Sequence, residues 1–181
     1  MEIEIPYGKS VLSADIPDGR IGAVLTNQLH DYEPPAPADV LVEQALASPI
    51  GSLPLCELAK GKENVVILAS DHTRPVPSKA IIPAMLREVR RFNPQVKITI
   101  LIATGCHRGS TRDELVRKFG REVYEQEHIV IHDCLKDTMV DYGILPSGVP
   151  LCVNRIGAQA DLLIAEGFIE PHFFAGFSGG R

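Results

Sequence analysis

Positive charge is in short supply in this chain: 18 lysines and arginines face 23 aspartates and glutamates, for a net charge of −5 and a pI near 5.7. That balance leaves no electrostatic case for nucleic acid or an anionic membrane as partner. The one basic run, Arg87, Arg90 and Arg91, closes a predicted helix, where cations suit the dipole. It reads as a solvated helix end. Cysteine is scarce as well. The 4 cysteines, Cys56, Cys106, Cys134 and Cys152, are scattered without a C-x-x-C pair, which argues against a zinc knot and against a disulfide framework. The expected compartment is therefore a reducing cytoplasm. No apolar run approaches the ~18 residues of a membrane span. The opening MEIEIPYGKS is acidic and alternating, unlike the basic start and apolar core of a signal peptide. Internal repeats and low-complexity segments are missing too.

What is present is ordinary globular material, 45% hydrophobic and 23% charged over 181 residues, enough to bury roughly 70% of the unfolded surface. One α/β domain over residues 1–181 is expected, with a mostly parallel, Rossmann-like sheet behind an N-terminal β meander. Glu2 to Ile5 alternates, Asp18-Gly19 marks a turn, and Ile21 to Leu25 forms another apolar run. A proline-rich connector, Tyr32 to Pro37, leads into a helix over Ala38 to Ala47, with Asp39 near its start. A β-α-β-α pattern follows. Val65–Leu68, Ile98–Ile102, Ile129–Ile131 and Leu162–Ile164 are short apolar runs of the kind buried strands show. Helices are predicted over Ser78–Phe92, with Ile81, Ile82, Met85, Leu86 and Val89 on one stripe, and over Thr111–Phe119. Thr138 to Pro150, punctuated by Gly and Pro, reads as a β excursion. Strands alternating with helices give a doubly wound parallel sheet.

In open α/β sheets ligands bind beyond the carboxyl ends of the strands, so the segments after each apolar run carry the interest. After the first comes Ser70-Asp71-His72-Thr73-Arg74-Pro75. Arg74 is suited to gripping a carboxylate or phosphate. The structural reading has Asp71 and Thr73 capping the next helix and Arg74 pairing with Asp71. After the second comes Thr104-Gly105-Cys106-His107-Arg108-Gly109-Ser110, a strand-to-helix turn where backbone N–H groups can meet an anion. His107 is read as a general acid or base. Cys106 is set aside as a nucleophile, since neighbours in extended chain point apart. His128 and His132 lie about 13 Å apart along a strand at ~3.3 Å per residue, too far to share a metal. They are read as a surface and a structural histidine. After the fourth run comes a glycine-laced apolar loop, Glu166 to Arg181, carrying His172 and the Gly176 to Gly180 stretch. That stretch can form an anion nest but lacks the P-loop spacing. Alone, His172 reads as a core histidine bonded to backbone. Two histidines ending two strands of one sheet are also what a stereoinverting acid–base reaction requires.

Together, Ser70–Pro75, Thr104–Arg108 and Glu170–Arg181 resemble the nickel-dependent lactate racemase family, in order and over about Val65 to Arg181, and more loosely through the N-terminal meander. The resemblance implies a 2-hydroxyacid racemase or epimerase working by reversible hydride transfer to a nickel-pincer nucleotide. It implies His107 and His172 as the acid–base pair, Arg74 as the substrate carboxylate site, and Asp71, Gly179 and Gly180 as cofactor-pocket residues. It places the lysine that anchors the cofactor just after Arg181, with the nickel-ligating histidine and a closing C-terminal domain beyond. On this reading no metal ligand lies in the chain itself, and the chain is an N-terminal domain inactive on its own. The alternatives are a non-catalytic domain binding a small anion, and a nucleotide-binding transferase using Gly176–Gly180 for phosphates.

Overall fold

The computed structural model describes residues 1–26 and 31–179, which fall into two compact units, Met1–Pro35 and Ala36–Arg181. The first is built on a hairpin of β1 (Glu2–Tyr7) and β2 (Ser10–Asp15), paired antiparallel from Glu2↔Asp15 to Tyr7↔Ser10. The turn is Gly8-Lys9, with Gly8 at φ 62°, because a two-residue hairpin loop needs a left-handed residue at its first position. The turn expected at Asp18-Gly19 is instead a 3-10 turn, Asp18–Arg20, behind Pro17 at φ −57°. The run Ile21 to Leu25 pairs with no strand.

The second unit begins with α1 (Ala38–Ala47) and α2 (Leu55–Leu58). Proline stands at the N-cap of each, where a missing N–H costs nothing. Three parallel strands follow as the chain alternates: β3 (Asn64–Ser70), α3 (Ser78–Arg90), β4 (Lys97–Ala103), α4 (Arg112–Phe119), α5 (Arg121–Gln126) and β5 (His128–Ile131). The predicted β excursion is an antiparallel hairpin of β6 (Met139–Ile144) and β7 (Pro150–Asn154), with α6 (Arg155–Ala158) after it. Strand β8 (Leu162–Ala165) then returns to the sheet. The stretch expected to be an irregular loop holds a short hairpin, β9 (Glu170–His172) and β10 (Gly176–Ser178).

The sheet runs β5-β4-β3-β8, every pair parallel. Central β3 and β4 are buried on both faces, with Val65, Val66, Ile67, Ile100 and Ile102 all sealed from solvent; each such side chain contributes about 1.5–3 kcal/mol. The α3 stripe packs on them through Ile82, Met85, Leu86 and Val89, with Ile81 at its edge. Arg90, expected to be solvated, clamps the Glu127 carboxylate with two bonds of 2.6 and 2.7 Å. Arg87 pairs with Glu43 and Arg91 with Glu88. The helix end is thus a set of ion pairs tying α3 to α1 and to the start of β5.

The chain builds outward from β3 to β4 and β5, then crosses back to lay β8 on the other side of β3. The direction of building reverses between β3 and β8, and that is where an open α/β sheet leaves a crevice at its carboxyl edge.

Candidate active site

Asp71 follows β3 directly and is 2% exposed. A buried carboxylate is tolerated only when donors surround it, and three do. The Thr73 amide donates at 3.0 Å, the Thr73 hydroxyl at 2.6 Å, and His107 Nδ1 lies 2.7 Å from the other oxygen. Burial alone would raise the Asp71 pKa; the Thr73 hydroxyl, His107 and the Thr73 amide outweigh it and bring it down to about 2. Asp71 therefore neither caps α3, whose N-cap is Pro77, nor pairs with Arg74. It binds a histidine from the next strand's loop.

His107 stands in the turn after β4, its amide bonded to the Thr104 carbonyl at 3.0 Å. Gly105, at φ 57°, supplies the left-handed step that turns the chain there. With an ionised carboxylate on Nδ1, that nitrogen carries the proton and Nε2 is left as the basic one. Cys106 takes no part in this pair.

His172 ends β9 and is held the opposite way. The amides of Phe174 and Ala175 point at its Nδ1 from 3.5 and 3.3 Å, so Nδ1 accepts and Nε2 carries the proton of the neutral ring. Phe173 stacks on the ring and Phe174 meets it edge-on. The backbone bonding foreseen for this histidine is present, and it fixes the tautomer.

Arg74 and His172 line one cavity of about 390 Å³ with Ser70, Val76, Gly167, Phe168, Glu170, Ser178 and Gly179. This is the crevice between the ends of β3 and β8. Gly179 is required there: at φ 75°, a Cβ on it would overlap the Phe168 carbonyl oxygen. Gly180, also expected at the site, lies outside the described residues. Arg74 borders a second cavity, about 300 Å³, with His72, Ser78, Lys79, Arg117, Lys118 and the single carboxylate Glu114 among its lining. Lys118 Nζ donates to the Arg74 carbonyl at 3.1 Å. In an acidic chain this local excess of cations marks a place for an anion. His107 borders a different cavity, and among the described residues no hydrogen bond joins it to His172. The structure thus gathers Asp71 with His107, and Arg74 with His172 and Gly179.

Sequence reasoning passed over Glu166, Ser70 and Glu114. Glu166 follows β8 at the switch point; the Ser78 hydroxyl donates to its Oε1 at 2.7 Å, and burial raises its pKa. Its Oε2 and the Ser70 hydroxyl are buried without a partner among the described residues. Its place directly after the last buried strand was the available signal. Glu114, in α4, binds both nitrogens of the Arg108 fork at 2.9 and 2.6 Å and approaches His72 Nε2 at 3.8 Å. It joins the loops after β3 and β4. His132 is bonded to Asp137 at 3.0 Å and lines the cavity beside His107, and His128 is exposed. No group of three or more His, Cys, Asp or Glu among the described residues is arranged to hold a metal ion.

A parallel α/β sheet with an arginine and two tautomer-fixed histidines at its carboxyl edge defines an α/β domain equipped to hold a small anion beside proton-transfer groups. The chain belongs to the lactate racemase N-terminal domain family, whose model matches residues 7–181. It is 51% identical over 180 residues to a lactate racemase of Thermoanaerobacterium thermosaccharolyticum. Identity is 50% over 180 residues to one of Lactiplantibacillus plantarum. In both cases the match spans 99% of this chain but 42% of the relative. The lactate racemase apoprotein structure from T. thermosaccharolyticum superposes with TM-score 0.85 at 49% identity, over 99% of this chain and 42% of that one. A crystal structure of a Thermotoga maritima protein, TM-score 0.59 at 21% identity over 79% of this chain and 35% of that one, shares the fold.

Proposed function

We propose that this chain is the N-terminal domain of a 2-hydroxyacid racemase or epimerase of the lactate racemase type. Complementary tautomers of His107 and His172 carry the reading: one ring offers a basic Nε2, the other a protonated Nε2. The substrate is a small 2-hydroxy carboxylate, its carboxylate gripped by Arg74. His107 Nε2 takes the substrate hydroxyl proton when one enantiomer reacts, with Asp71 stabilising the imidazolium that forms. His172, entering the step as the imidazolium, gives its Nε2 proton to the oxygen when the other enantiomer is made and is left as the neutral ring. In the reverse direction the two exchange roles, as microscopic reversibility demands. The Phe173 and Phe174 rings pack on the His172 ring and help to set its orientation.

The residues present fit a nucleotide cofactor of the nickel-pincer kind. Among the described residues the buried Oγ of Ser70 has no hydrogen-bond partner, and Gly179 brings bare backbone to the cavity that Ser70 lines. Asp71, Gly179 and Gly180 are the residues that would hold it, with the metal ligand and the anchoring lysine supplied from outside this chain. When bound, such a group supplies the acceptor for the hydride of the substrate α-carbon, chemistry no side chain can perform. The chain spans 42% of the length of the relatives it matches, which supports a second, C-terminal domain completing the site. The dispersed cysteines and negative charge support a cytoplasmic setting.

The test is chiral chromatography on the full-length protein, produced with nickel and the cofactor pathway, offered single enantiomers of lactate and larger 2-hydroxy acids. Inversion is expected for at least one acid, with a loss of about a hundredfold or more on replacing His107 or His172 by Ala. Residues 1–181 alone are expected not to turn over. Binding without inversion, unaltered by either replacement, would leave a plain anion-binding domain.

A further inference from the structure

Beside the His107 turn lies a pair of thiols that the racemase reading does not use. The loops after β4 and β5 are laced together. The His132 amide donates to the Ile102 carbonyl at 3.1 Å, and the Thr104 hydroxyl donates to the His132 carbonyl at 2.6 Å. Cys106 lies two residues past Thr104 and Cys134 two residues past His132. Each stands in the turn that follows its strand, and those strands, β4 and β5, are neighbours in the sheet. Both side chains are exposed, and both line one cavity of about 420 Å³ together with His107, His132 and Asp133. Cys56 is buried, and Cys152 lies on β7, outside that cavity.

We propose that Cys106 and Cys134 form a redox-active dithiol, converted to an intramolecular disulfide by a small-molecule disulfide of the glutathione class. Cys106 is the attacking sulfur. Cys134 is held protonated by partial desolvation, by the Cys106 thiol it contacts and by the adjacent Asp133 carboxylate. The Cys106 thiolate attacks one sulfur of the small disulfide, forming a mixed disulfide and releasing one small thiol. Cys134 then loses its proton and attacks the Cys106 sulfur, closing the protein disulfide and expelling the second thiol. The two protein thiols lose two electrons and two protons, which leave on the two small thiols. Closure pins the turn that carries His107. A soft metal is the less suitable guest, because no third His, Cys, Asp or Glu among the described residues completes a site.

The experiment uses the full-length protein, equilibrated in buffers of stepped reduced-to-oxidised glutathione ratio, acid-quenched, alkylated and digested with trypsin. The expected result is a cross-link between the peptides spanning residues 98–108 and 122–136. It passes from undetectable in excess reduced glutathione to the main species in excess oxidised glutathione, and it disappears again with dithiothreitol. Cys56 and Cys152 stay alkylated throughout. In C134S, confirmed folded by circular dichroism, glutathione accumulates on Cys106; in C106S, Cys134 takes up little. Separate glutathione adducts on both cysteines of the unaltered protein, or two alkylated thiols at every ratio, would overturn the proposal.

Discussion

Asp71 takes three hydrogen bonds with one carboxylate, and they do two different tasks. Those from Thr73 shape the turn out of β3, while that from His107 reaches across to the neighbouring strand. Asn at this position keeps the size but replaces one acceptor oxygen with a donor group. The side chain cannot then accept from both Thr73 and His107 Nδ1, so one of these bonds is lost or His107 switches tautomer. Hydrogen bonds to a charged group of this kind are worth about 1.5–3 kcal/mol each. Asp71→Asn is therefore expected to lower the melting temperature by several degrees, at ~2–4 °C per kcal/mol for a domain of this size. Loss of the fixed tautomer of His107 should cost turnover more heavily, about a hundredfold or beyond. Differential scanning calorimetry and kcat of the full-length enzyme separate the two effects. An unchanged kcat would show that Asp71 supports the turn alone.

Among the elements, α4 decides how the two loops meet. Its N-terminus is a capping box: the Glu114 amide donates to the Thr111 hydroxyl at 3.4 Å, and the Thr111 amide donates back to the Glu114 carboxylate at 2.7 Å. The Arg108 guanidinium first, and the Thr111 amide after it, hold the Glu114 carboxyl well below the usual carboxylate range. Thr111→Ala removes one side of the box, for an expected loss of about 1 kcal/mol. In urea titration the midpoint should fall with the slope unchanged; a changed slope would mean that the loops rearrange. This element was legible in advance, since Thr-x-x-Glu ahead of Leu115 and Phe119 is a local signal. The strands were legible for the same kind of reason, each being a short apolar run. The β9–β10 hairpin was not, because its pairing joins residues of mixed polarity across the turn before Gly176 and shows no alternation. The Asp71–His107 bond was hidden by its span of 36 residues; the sequence presents Asp71 beside Arg74 and His107 beside Cys106, and only the parallel register of β3 with β4 exchanges those neighbours. Position at a strand's carboxyl end was the cue that drew attention to Arg74, His107 and His172, and the structure sets each beyond or at the end of a strand, while Glu166 went unread.

At the scale of the whole molecule, the buried and bonded carboxylates divide by sign, and pH exposes the division. Asp71, Glu114, Asp133 and Asp137 all titrate below their ordinary values in the folded state. A depressed carboxylate adds stability that is complete above its unfolded pKa, near 4. It is lost as pH falls toward the folded value, about 2 for Asp71. Glu166 runs the other way. Burial raises its pKa, against the Ser78 bond and the Lys118 charge, so its contribution is complete at acid pH and declines as pH rises through the folded value. The melting temperature should therefore decline from pH 4 toward pH 2, where the four depressed carboxylates act together and Glu166, protonated in both states, adds no slope. Glu166→Gln keeps an oxygen for the Ser78 hydroxyl and removes the buried charge. The variant should melt higher than the unaltered domain at pH 7 and converge with it near pH 4, where Glu166 is protonated in both states. Melting curves of the two proteins from pH 2 to pH 8 decide the matter. A constant gap at all pH values would mean that the substitution acts through packing. A lower melting temperature for the variant at pH 7 would mean that ionised Glu166 is stabilised by Lys118 by more than burial costs it.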